Sequence, residues 1–82
     1  MPRSSISKRF GLVVRSFRIR SGLSQETLAE RAGLHPSYVS MVERGTRNAT
    51  LDVAERIASA LQTSLKELIT ACEGLTVEGT GA

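Results

Sequence analysis

The side chains with most chemistry to offer lie in one stretch, PSYVSMVER at 36–44. On a helix with Val39 and Val42 turned inward and Tyr38 at the edge, the outward residues are Pro36, Ser37, Ser40, Met41 and Arg44. A surface helix usually carries Glu, Lys or Gln at such positions. This face carries two hydroxyls, one thioether and one guanidinium. It can approach a polyanion closely without like-charge repulsion. A serine hydroxyl bonds to donor or acceptor base edges, a thioether touches a thymine methyl, and a guanidinium pairs with guanine. Pro36, Ser37, Ser40 and Met41 are therefore the candidate base-reading set, led by Ser37 because a helix that enters a groove reads mainly with its N-terminal residues. Arg44, at the far end, is assigned to phosphate. The competing readings are a capping role for Ser37, and an exposed apolar residue or dimer contact for Met41.

Other chemistries find little support. His35 is the only histidine, and no second His, Cys, Asp or Glu stands at metal-ligand spacing around it. Cys72 is the only cysteine and lies far along the chain, with no Ser-His-Asp context. The chain is read as neither an enzyme nor a metal or cofactor protein, and no small-molecule ligand is evident. One cysteine allows no internal disulfide, which leans towards a reducing compartment. The basic N-terminus lacks the apolar run of a signal peptide, and no stretch reaches the ~20 apolar residues of a membrane span. A cytoplasmic protein without membrane attachment is expected.

The elements that must position the 36–44 face are written around it. Ser24 is a natural N-cap, and Glu26 suits the positive end of the helix dipole. Leu28, Ala29 and Ala32 make one apolar face. Gly33 ends the helix in the left-handed conformation that costs glycine no Cβ clash, and Leu34 can drop into the core. Pro36 fits the first position of the next helix, where a missing N–H is no loss, and Gly45 stops that helix. Helix, short glycine turn, helix is the helix-turn-helix pattern.

Gln25, Ala29, Gly33, Val39, Ser40, Glu43 and Gly45 fall where the Cro/cI-like (XRE) helix-turn-helix family places similar residues. The resemblance runs from about residue 10 to residue 69. Ser37-Tyr38-Val39-Ser40 and Glu43-Arg44-Gly45-Thr46-Arg47-Asn48 also resemble the controller proteins of restriction–modification systems. The resemblance implies a sequence-specific double-stranded DNA-binding transcriptional regulator. It implies that Gln25 bonds to the DNA backbone, and that Arg18 and Glu43 form a salt bridge between the first and third helices. The chain departs from phage repressors, which often place long amides where Pro36 and Ser37 stand. It departs from controller-like proteins in having Pro36 where a basic residue is common. His35 is an unusual residue just before the third helix, read as a cap or a phosphate contact. Arg47, Asn48 and Thr46 in the following loop are a second phosphate set. Tyr38 either offers its hydroxyl to phosphate or is a core-edge tyrosine.

At 82 residues the chain makes one small domain. Residues 1–48 carry nine Lys/Arg against three Glu; residues 49–82 carry two against five Asp/Glu. One end is thus +6 and the other −3, a polarity that suits an anionic partner at the basic end. A compact all-α, five-helix domain is expected over 6–72, with a flexible start at 1–5 and a flexible tail at 73–82. The first helix, at about 7–21, has Phe10, Val13, Val14 and Phe17 at helical spacing, extended by Ile6. Its other face carries Arg9, Arg15 and Arg20, either solvated or facing phosphate. The fourth starts after Thr50, with Leu51, Ala54, Ile57, Ala58 and Leu61 inward. The fifth starts near 63 or 64 and runs to about 72 on Leu65, Leu68, Ile69 and Cys72.

Proteins of this motif usually dimerise, so that two recognition helices meet successive major grooves about 34 Å apart. Val53, Leu65 and Ile69, at the acidic end, are the candidate homodimer interface; the plain alternative is that all three are core. The rival function is a protein-interaction or antitoxin-like module with weak DNA affinity.

Overall fold

The structure is a computed structural model and describes residues 5–75. Five helices follow in chain order: α1 (Ile6–Arg20), α2 (Gln25–Ala32), α3 (Pro36–Glu43), α4 (Leu51–Ala60) and α5 (Leu65–Gly74), and among the described residues there is no strand. Four of the five N-caps are hydroxyls: Ser5, Ser24, Thr50 and Ser64 each accept from the backbone N–H three residues on, satisfying a donor the helix cannot. Ser5 was expected in a loose N-terminal segment and instead caps α1; the remainder of that segment, and 76–82 of the expected tail, lie outside the described residues. Helix α5 continues two residues past the expected Cys72. None of the helices among the described residues is long and apolar enough to cross a membrane.

The core is aliphatic. Val14, Leu28, Val39, Val42, Ile57 and Leu68 are its largest fully buried side chains, with Cys72 among them. Helix α1 packs on α3 and α5, α2 packs on α3 and α4, and α4 meets α5. Helix α3 is thus held from behind by two neighbours while its other face stays outside. Gly33 takes φ +70° after α2, which turns the chain into α3, and Leu34 donates its N–H to the Ala29 carbonyl at 2.8 Å.

Three expectations from periodicity need correction. Leu51 is 77% exposed because it opens α4 beyond the end of the core; Ala58, within about 20° of it around the axis at 100° per residue, is buried. Ile6 is 47% exposed, since the first turn of α1 overhangs the core. Arg9 is buried at 9%, where a solvated or phosphate-facing edge was expected. Its Nη1 donates to the Cys72 carbonyl at 3.1 Å. The C-terminal turn of α5 lies beside α1, and a guanidinium suits its carbonyl end.

Gly11 sets how closely α1 and α3 approach. A Cβ there would lie 2.2 Å from the Val42 carbonyl oxygen and 2.7 Å from that of Glu43. Backbone atoms cannot swing aside as a side chain can. Gly11→Ala is therefore expected to cost about 1–3 kcal/mol by overpacking, despite the better helix propensity of alanine. A thermal melt checks this, and a variant as stable as the parent would show that the two helices can part freely.

Candidate nucleic-acid interface

Helix α3 shows its N-terminal turn to solvent. Pro36 and Ser37 are exposed, Ser40 and Met41 are half-buried, and Arg44 is exposed. The four candidate base readers thus share one helix, with its first turn the most accessible part. His35 is the N-cap, and its ring nitrogen Nδ1 accepts from the Ser37 N–H at 3.1 Å. Ser37 Oγ lies 2.9 Å from the same nitrogen. The cap and the first candidate reader are therefore one hydrogen-bonded unit.

The candidate phosphate residues divide by what already holds them. Arg47 and Tyr38 come together, the guanidinium carbon lying 5.3 Å from the ring centroid, so the exposed arginine is steadied by a half-buried ring. The Tyr38 hydroxyl donates to the Asn48 carbonyl at 3.5 Å, and the Asn48 side-chain oxygen accepts from the Ser7 hydroxyl. The loop after α3 is thereby tied to the start of α1. Thr46 turns inward along the chain: both its N–H, at 3.0 Å, and its hydroxyl, at 3.2 Å, donate to the Met41 carbonyl. That bonding terminates α3 and uses the hydroxyl hydrogen that a phosphate would accept. Gln25 sits half-buried at the start of α2, and its Nε2 donates to Glu43 Oε1 at 3.0 Å. One of its two amide hydrogens is thus spent inside the protein.

Glu43 is the interior anchor of this surface. Arg18 holds it with two bonds, Nε to Oε2 at 2.6 Å and Nη2 to Oε1 at 3.1 Å, the planar fork that suits a carboxylate. Arg18 Nη1 also donates to the Leu23 carbonyl at 2.8 Å. The pair is well shielded, with 12% and 2% of the two side chains exposed. The Arg18 pKa is raised, chiefly by the hydrogen bond to Glu43. Val53, Leu65 and Ile69 are half-buried and pack against the core from α4 and α5.

Sequence reasoning missed several positioning residues. Arg56, on α4, donates Nε to the Ala32 carbonyl at 3.0 Å and Nη2 to the Gly33 carbonyl at 2.6 Å. It closes the end of α2 and so holds the turn into α3. The signal available was a helix ending in glycine with open carbonyls; nothing local pointed to a donor 23 residues on from Gly33. Ser7 and the inward bond of Gln25 were missed for the same reason. Cys72 is fully buried, and burial pushes its thiol pKa up. No group of three or more His, Cys, Asp or Glu that could hold a metal exists among the described residues.

A helix-turn-helix family model matches residues 14–68. Control protein C.BamHI of Bacillus amyloliquefaciens is 48% identical over 61 residues, 73% of this chain and 75% of that one. Among solved structures, the restriction-modification controller protein C.AhdI of Aeromonas hydrophila superposes with a TM-score of 0.74 at 47% identity, covering 76% of this chain and 94% of its own. The controller protein C.Esp1396I, a tetramer in complex with its natural 35 base-pair operator, superposes at 0.75 with 29% identity, covering 87% and 99%.

Removing the Glu43 carboxylate leaves the shielded Arg18 guanidinium without its fork partner and frees the Gln25 amide. Glu43→Ala is expected to lower stability by about 3–5 kcal/mol, which for a domain of this size moves Tm down by more than ~10 °C. Equal melting temperatures for variant and parent would remove the anchoring role.

Proposed function

The chain belongs to the Cro/cI-like helix-turn-helix family of DNA-binding transcription regulators, and from that premise we propose that it binds a specific double-stranded operator as a homodimer, with α3 in the major groove. The observation that carries the reading is the exposed first turn of α3, small and polar, held from behind by α1 and α2. A groove-entering helix needs both a slim outer face and a rigid mount. Pro36, Ser37, Ser40 and Met41 are proposed to meet base edges. Gln25, His35, Tyr38, Arg44, Thr46, Arg47 and Asn48 are proposed to meet the backbone, with Arg44 and Arg47 supplying the charge. The inward bonds of Thr46 and Gln25 leave these two a lesser share.

The proposed dimer surface combines Val53, Leu65 and Ile69, each only half-buried. Half-buried apolar side chains on two helices that pack together suit a two-fold interface. The operator-bound tetramer of C.Esp1396I supports oligomeric binding. The working unit is taken as residues 6–72. The protein is read as a non-catalytic, cytoplasmic regulator: its one cysteine is fully buried, His35 is the cap of α3 and Glu43 is held by Arg18.

Selection from a random duplex library at near-physiological salt tests the reading. A two-fold-symmetric site is expected, its half-site spacing reporting the dimer. On that site Arg47→Ala should weaken binding to all sequences alike and reduce the slope of log K against log salt by about one per half-site contact. Recovery of no sequence, with only weak salt-sensitive binding, would favour the protein-interaction alternative.

A further inference from the structure

The base-reading role proposed for Ser37 leaves open what its hydroxyl recognises, and the hydrogen bonds of His35 answer this. Two Ser37 groups approach one imidazole nitrogen: the backbone N–H with a nitrogen–nitrogen distance of 3.1 Å, and Oγ at 2.9 Å. A backbone N–H can only donate. Nδ1 must therefore present its lone pair, and the ring proton sits on Nε2. With no hydrogen on Nδ1, the contact with Oγ is a hydrogen bond only if the serine hydroxyl donates, sharing the one Nδ1 lone pair with the backbone N–H. Its hydrogen is turned back towards His35, and the exposed oxygen offers lone pairs outward. Pro36, between the two residues, has a ring-fixed φ and holds the cap and the serine in this register.

We propose that His35 makes Ser37 an acceptor-only reader, selecting adenine or cytosine over guanine or thymine on the strand it touches. In the major groove the donors are adenine N6 and cytosine N4, whereas guanine N7 and O6 and thymine O4 are acceptors. An unconstrained serine serves both kinds of edge by rotating its hydroxyl. Here rotation towards an acceptor breaks the bond to His35, and without rotation two acceptors face each other. The inference rests on the base-reading assignment of Ser37. His35 acts through Ser37 and is a positioning residue. A cap with no further role would, when lost, weaken binding to every duplex alike; a positioning residue changes the base preference.

The selected duplex supplies the test. The position whose base no longer matters in Ser37→Ala is the Ser37 contact. Four duplexes differing only there are compared by competition at mildly alkaline pH. The parent is expected to favour adenine and cytosine by about fivefold or more. His35→Asn, whose amide oxygen can accept both bonds, should keep that preference. His35→Ala frees the hydroxyl and should bring the four duplexes within about twofold of one another. A parent preference for guanine or thymine at that position overturns the inference and leaves base reading intact, as does an unchanged preference in His35→Ala. Absence of any position that responds to Ser37→Ala overturns the base-reading assignment, and this inference with it.

Discussion

The carboxylate of Glu43 is where the arrangement of this protein is decided. It closes the last turn of α3, is 2% exposed, and accepts from Arg18 on α1 and Gln25 on α2. A buried charge is costly unless it is fully hydrogen-bonded. Those partners come from the two helices behind α3, so the carboxylate is satisfied only when all three helices are in place. The ion pair is thus an orientation device as much as a source of stability. It fixes how far α3 is rotated, and hence which residues face outward.

Two other features hold the same geometry by different physics. Gly11 lets the backbones of α1 and α3 approach where no Cβ would fit, so Val39 and Val42 reach full burial. Arg56 reaches from α4 to the carbonyls that end α2 and keeps the Gly33 turn in position. Contact by steric exclusion, by charge pairing and by carbonyl capping all bear on α3. This is the expected economy of a small domain whose core is modest.

The candidate interface is less uniform than a row of polar residues suggests. Arg44 and Arg47 are exposed, with the Tyr38 ring beneath Arg47. Thr46, Asn48 and Gln25 are already bonded within the protein. They shape the loop and the helix ends that carry the charged groups. His35 and Ser37 are coupled to each other before any partner arrives, so the hydrogen-bonding character of this surface is partly set in advance.

The sequence by itself determined the local units. Caps at Ser24 and Thr50, the stop at Gly33 and the start at Pro36 are short-range signals, because a helix end is satisfied by residues within one turn of it. The apolar stripes determined which faces of α2 and α3 turn inward, and so which residues of α3 could reach a partner. Only the tertiary structure decided the rest. Burial of Arg9, exposure of Leu51 and Ile6, and the bonds of Arg56 and Ser7 depend on where a helix end falls relative to its neighbours. Helical periodicity records angle around an axis; it does not record how far along that axis the core extends. The Arg18–Glu43 pair shows both sides. The resemblance could join the two residues, while the third partner and the shielding of the charge exist only once three helices are packed together.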